Sequence, residues 1–484
     1  MKNNAWKTVW FGRCALVIAT LAALLLMICR PWGEFLLRFA VPFSYIFLGL
    51  FLLADREKTK WVYWAGVVFL LWFAVSRILD GEYYQQESYF SYSNLCYLYA
   101  LAFPFAFVMK DGQRRWGLKA AFWIVVGLLT PCALGAIKWM ITRDDAGFSF
   151  LPEMSYRLQQ VGPDFRLSFC GYHPNVTGAL FLMGFMGCLY LCCEYRKPLV
   201  RAILLLAVIP FYLAMGYTVS RTVMVCGAVM IGGFAFVWLL RLPLAKRWLR
   251  ILTASALACV LLLGSYMGFD LAIRETEALR VRTQTTPTQT VQPASDLSTP
   301  LPVQTETVQP EKPVEGEANA SEPTVENRPL SNNFLSFQGR TSIYEGVLRY
   351  LKKHPRVMLW GMLEQSVQKE IVKYMNVGHA HNSYLQAWMV MGLPGLLLSI
   401  GFAIAALWAA LRLFFAAKDQ VSPGERLESL MLGCLLILSM LENYLFLEFC
   451  QGYNSLFSML FFLLLGTALE RGKELGPWRR RAGR

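Results

Sequence analysis

Continuous apolar runs of about twenty residues, separated by short polar connections, recur along most of this 484-residue chain. A helix needs roughly 20 residues to cross the hydrocarbon core of a bilayer. The runs are unbroken rather than alternating, so they predict helices and not the strands of a barrel. They fall at about 10–29, 35–54, 61–78, 90–109, 116–140, 174–193, 199–216, 222–240, 250–269, 391–414, 428–447 and 454–470, twelve spans in all. The first follows Lys2, Lys7 and Arg13, as a signal peptide would. Cys29-Arg-Pro-Trp32 offers no small-residue cleavage pattern, however, and the run reads as a retained span.

The pattern changes once, in the longest connection, which divides the chain into residues 1–269 with nine spans, a loop over 270–381, and residues 382–484 with three spans and a basic tail. From Arg282 to Leu330 the loop is built of Thr, Pro, Gln and Glu. That composition buries too little apolar surface to order itself, so 282–330 reads as a disordered insert. Over 339–381 the helical period returns. Ile343, Val347, Leu348 and Leu351 share one face, as do Leu363, Val367, Ile371 and Met375, giving two amphipathic surface helices broken apart at Pro355 and Gly361 and closed at Gly378.

Composition agrees with the pattern: 56% hydrophobic and 16% charged residues with a mean hydropathy of +0.41 are too apolar for a soluble globular protein. The expected fold is an all-α, polytopic integral membrane protein of about twelve transmembrane helices with one large extracytoplasmic loop. Lys and Arg gather in alternate connections, around Arg56 to Lys60, Lys110 to Arg115, Arg196 to Arg201, Arg241 to Arg250, Arg412 to Arg426 and in the tail Arg479-Arg-Arg481. The intervening set is poor in bases, with the acidic stretch Asp80 to Glu87 among it. Both termini are therefore expected in the cytoplasm, the chain in the cytoplasmic membrane, and the long loop outside. This topology and anionic membrane lipids explain the formal charge of +14 without any nucleic acid. The 12 cysteines are scattered, with none between residues 260 and 433, and imply neither a disulfide framework nor a metal cluster.

Candidate chemistry lies at the outer mouth. His379 and His381, two of the four histidines, stand just before the apolar run that follows Asn382. A histidine at such a lip can hold or release a proton near neutral pH, although a polar helix cap is the ordinary reading. If 383–391 form a short helix, His381 sits at its amino end, where the dipole disfavours imidazolium and leaves the neutral ring a general base needs. Gly171-Tyr-His-Pro-Asn175 opens the sixth span, where Pro174 suits a first turn and His173 or Asn175 can cap it. Ser220-Arg221-Thr222 opens the eighth, where the arginine either snorkels to lipid phosphate or serves a site. Gly339-Arg340 begins the ordered part of the loop. Glu442 and Asn443 are costly to bury near the end of the eleventh span and are expected to line the cavity or pair with an arginine. Guanidinium groups grip a diphosphate at two points and favour its departure as charge grows. No glycosidase acid pair, His-Glu-x-x-His motif or phosphate-cradling glycine loop stands on the outer face. The chemistry on offer is proton transfer with anion stabilisation, with no metal and no cofactor.

These stretches together resemble the O-antigen ligase and polymerase family over roughly residues 165–465, most specifically in His381-Asn382-x9-Gly392-x-x-Gly395. Arg221 matches the family's arginine before the large loop, and Gly339, Arg340, Pro355 and Gly361 match its Gly-Arg element with the helix, Pro and Gly that follow. Tyr344 stands where many members carry Trp, and the Thr/Pro insert is unlike their compact loops. The resemblance implies an enzyme that transfers a glycan from a polyprenyl-diphosphate donor to a hydroxyl of a glycan, lipid or protein acceptor, by a metal-independent, inverting route. In it His381 would be the base, Arg221 and Arg340 would hold the diphosphate, and Asn382, His379, Asn175 and Gly339 would meet substrate. His379 ranks behind His381 because the spaced glycines register on the latter. Ligase and polymerase share these motifs, and a lipid-linked glycan flippase or an assembly partner are the readings from other classes.

Overall fold

The computed structural model describes residues 5–54, 68, 71–72, 100–107, 109–143, 154–161, 164–240, 247–285, 340–362, 380–417, 420–445 and 452–475. Two helices, α1 (Ala5–Ile28) and α2 (Arg30–Ala54), open the fold, and α3 (Asp111–Thr142) leads to a hairpin of β1 (Tyr156–Val161) and β2 (Asp164–Phe169). Next come α4 (Pro174–Glu194), α5 (Pro198–Tyr217), α6 (Arg221–Leu239) and α7 (Arg247–Thr285). The chain closes with α8 (Arg340–Lys353), α9 (Pro355–Trp360), α10 (Ser383–Phe414), α11 (Pro423–Leu441) and α12 (Gly452–Glu474). Among the described residues nine helices are long and apolar enough to cross a membrane, and the chain is a multi-pass membrane protein.

Burial ranks the helices. Nearly all of α4 is enclosed by its neighbours, whereas α7 turns Leu252, Val260, Leu263 and Met267 outward, as suits a helix bordered by lipid. The central α4 therefore presents its first residues, His173 to Asn175, in the middle of one end of the bundle. At the opposite end α11 gathers three helices. Ser422 and Glu425 form a capping box, and Glu425 pairs with Arg115 of α3 and, at 3.0 Å, with Arg471 of α12. Arg426 donates to the carbonyls of Phe414 and Ala416, which the end of α10 leaves without helical partners.

In α10 the first and second halves are separated at Gly392, whose φ of 68° and ψ of −164° lie far from helix. The expected short helix over 383–391 is thus present as a half-helix. Its break is filled by backbone. A Cβ on Gly392 would sit 2.1 Å from the Leu359 carbonyl oxygen, and one on Gly361 (φ 81°) would sit 2.3 Å from that of Val390. Met362 N–H donates to Met389 O at 2.9 Å, and the Trp72 indole donates to Met391 O at 3.0 Å. Carbonyls freed by the break are in this way satisfied without water.

Three expectations need adjustment. The fold is mostly rather than wholly helical, because the β1–β2 hairpin pairs Tyr156 with Phe169 and anchors itself to α3 through Tyr156 Oη–H, which donates to Cys132 O at 2.8 Å. Its strands of six residues are too short to stand out beside runs of twenty. The ninth span, expected over 250–269, belongs to the 39-residue α7. That helix continues to Thr285, so residues 282–285 of the expected insert are helical; Arg274 and Asp270, an i,i+4 pair at 2.6 Å, extend it past its apolar stretch. On α8, Ile343, Val347 and Leu351 are buried as expected, while Leu348 is 45% exposed. The remainder of the insert, the second amphipathic helix around 363–375, Gly378 and most of the expected spans 61–78 and 90–109 lie outside the described residues.

Candidate functional site

One end of the bundle collects the starts of α4, α6, α8 and α10. Each of α4, α6 and α10 is entered through a non-glycine residue in the left-handed region: Cys170 (φ 50°), Val219 (φ 49°) and His381 (φ 47°). Such backbone persists only where surroundings impose it, and it concentrates at working sites. Around His381 the imposition is visible. Asn382 caps α10, its Oδ1 accepting from Tyr384 N at 2.9 Å and Leu385 N at 3.0 Å, while its Nδ2 donates to Met440 O at 3.0 Å. Ser383 Oγ donates to Glu442 O at 3.0 Å and accepts from Tyr444 N and Leu445 N, both at 3.1 Å. The Tyr344 hydroxyl of α8 lies 3.0 Å from both His381 O and Met440 O. Burial raises the Tyr344 phenol above its usual value, which keeps it a donor.

The centre of the site is a carboxylate. Glu442, 4% exposed, directly follows α11. Its Oε1 accepts from Asn175 Nδ2 of α4 at 2.7 Å and from Arg340 Nη2 of α8 at 2.5 Å, and its Oε2 lies 3.0 Å from His381 Nδ1 at the head of α10. A buried carboxylate needs such partners to offset its desolvation, and here they come from three helices. The tautomer of His381 that donates Nδ1–H to Glu442 is the one with its lone pair on Nε2.

His173 lies on the other flank of the same carboxylate. It is the N-cap of α4, and its Nδ1 accepts from Asn175 N–H at 3.2 Å. Burial holds its imidazole below the ordinary histidine value against the opposing pull of Glu442, and the neighbouring His381, Arg166 and Arg340 push the same way as burial. A neutral His173 with Nδ1 accepting carries its remaining proton on Nε2.

Of the residues singled out in the sequence, the structure joins His381, Arg340 and Asn175 through Glu442, with Asn382 holding the turn beside them. Arg221 opens α6 half-buried, and its electrostatic neighbour is Tyr266 of α7. His379 and Gly339 lie outside the described residues. His354 is exposed, its ring stacked on Tyr350 at 4.3 Å. Glu442 does pair with an arginine, but the sequence carried no sign that it would bring together histidine, arginine and asparagine. Among the described residues no group of three His, Cys, Asp or Glu side chains is placed to hold a metal ion.

No curated protein matches the chain. Residues 202–400, which take in Arg221, Arg340, His381, Asn382, Gly392 and Gly395, match the family model described as O-antigen ligase.

Proposed function

We propose that this enzyme transfers a glycan from a polyprenyl-diphosphate donor to an acceptor hydroxyl at the outer face of the cytoplasmic membrane, with both termini in the cytoplasm. The observation that carries this reading is the shared grip of Glu442 on His381 Nδ1 and Arg340 Nη2. It would set His381, as the base that takes a proton, beside a guanidinium suited to phosphate. The acceptor hydroxyl gives its proton to His381 Nε2 as its oxygen bonds to the anomeric carbon. The bond from that carbon to the donor's diphosphate oxygen breaks on the opposite face, inverting the centre. The electron pair leaves with the polyprenyl diphosphate, whose charge Arg340 and Arg221 stabilise. Four helix amino ends at the same mouth add positive potential there. Asn175 and Asn382 support this arrangement by holding Glu442 and the head of α10, and their expected contacts with substrate are part of the proposal, as are those of His379 and Gly339.

The step is the same whether the acceptor is a foreign hydroxyl (ligase) or a second lipid-linked chain (polymerase). Purified protein reconstituted with labelled polyprenyl-diphosphate glycan and candidate acceptors distinguishes them: a single adduct marks the ligase, a ladder of lengths the polymerase. Transfer is expected to survive a chelator and to vanish in His381→Ala with donor plentiful. A flippase would instead keep glycan length and linkage in that variant and change only the amount delivered, an outcome that sinks the enzymatic reading.

A further inference from the structure

His173 has a task left over after its structural one. Capping α4 requires only an acceptor, and Ser, Thr, Asp or Asn supplies one with less bulk. Here an imidazole does it through Nδ1, which leaves Nε2–H on the far side of a half-buried ring, and among the described residues no hydrogen bond reaches that atom. Three hydrogen bonds in series connect this ring to the proposed base: His173 Nδ1 to Asn175 N, Asn175 Nδ2 to Glu442 Oε1, and Glu442 Oε2 to His381 Nδ1. Both imidazoles connect to one carboxylate through these bonds, and His173 presents an N–H.

We propose that His173 binds the acceptor by donating from Nε2–H to the oxygen vicinal to the attacking hydroxyl, so that the site selects acceptors carrying two adjacent oxygens, as a sugar diol does, over isolated hydroxyls. The proposal rests on the transfer reading above. An acceptor seated this way gives its attacking hydroxyl proton to His381 Nε2 while its neighbour accepts from His173. One contact fixes the proton's path and the other fixes which hydroxyl is offered. A seryl or threonyl side chain satisfies the first and leaves the second unmet, and a site built to bond a polar group discriminates against a substrate lacking it.

The test uses the full-length reconstituted protein at saturating donor, with a sugar acceptor found competent there and the same sugar lacking the hydroxyl beside the attacked one. The wild-type kcat/KM should fall roughly three- to tenfold on removing that hydroxyl, the range of one neutral hydrogen bond. In His173→Asn, which keeps the capping acceptor, the intact sugar should lose a similar factor and the deoxy sugar almost nothing more, with donor KM unchanged. His173→Gln, whose amide reaches farther, should recover part of the discrimination. Equal discrimination in wild type and His173→Asn overturns this inference alone, as does a preferred acceptor with an isolated hydroxyl. Failure of the wild-type protein to transfer any glycan overturns the transfer reading and this inference with it.

Discussion

Replacing Glu442 by glutamine keeps its shape and removes its charge, and the consequences differ for each partner. Arg340 loses its counter-ion, and an amide presented to His381 Nδ1 no longer orients the ring and its tautomer as the carboxylate does. Glu442→Gln should therefore lower kcat on the order of 10²-fold or more, by analogy of role with the orienting carboxylate of hydrolytic triads. Steady-state kinetics at saturating donor and acceptor check it, and a kcat within twofold of wild type would reduce Glu442 to a structural strut. His173 carries a pH dependence of its own. Burial holds its folded pKa below the unfolded value of about 6.5, so the unfolded chain takes up the proton first. Its effect on stability is nil above that value, and as pH falls through it toward the folded pKa, folding is progressively disfavoured. Melting midpoints measured from pH 7.5 to pH 5 should decline more steeply for the wild type than for His173→Asn. At this scale the sequence singled out His381 from residue type and spacing and Arg340 from the family resemblance, and the structure puts both on Glu442. Their meeting point was hidden because Glu442 is 61 residues from one and 102 from the other, and one-dimensional spacing holds no record of contacts across that distance.

Among the elements, α10 shows what spacing can and cannot reveal. The sequence offers a short helix over 383–391 as the condition for placing His381 at an amino end, and the half-helix 383–391 is there. Nothing in that interval told that Gly392 is needed for a neighbour's backbone rather than for its own flexibility. With φ at 68° and the Leu359 carbonyl oxygen 2.1 Å from where a Cβ would sit, alanine meets both a left-handed penalty of roughly 1–2 kcal/mol and a collision that only backbone movement relieves. Gly392→Ala should lower stability by about 2 kcal/mol or more, read as a drop in the melting midpoint in detergent. The displaced half-helix carries His381, so transfer should fall in the same variant. An unchanged midpoint would mean that α9 and Gly361 yield freely. The hairpin of β1 and β2 escaped the sequence reading for a different reason. Its alternation runs for six residues per strand, between Tyr156 and Phe169, and its support comes from α3 and from Thr177 of α4, which accepts from Phe169 N at 3.1 Å.

Across the whole molecule, hydropathy was the most informative signal, because a bilayer asks for continuous apolar helices and penalises every alternative. It anticipated the class of fold and the alternation that puts the heads of α4, α6 and α10 at one end. It was less able to mark where helices stop, since α7 passes from apolar to charged sequence and α11 begins with Glu425, Arg426 and Glu428 buried. That last helix has 19 residues, about 28 Å at 1.5 Å each. Its first turn is fixed through Glu425 to Arg115 and Arg471, and its far end delivers Glu442 to the site. α11 thus acts as a spacer. Its length, counted from the anchored end, sets the distance from Glu425 to Glu442, so that one residue added to or removed from α11 would displace the carboxylate from His381, Arg340 and Asn175 together.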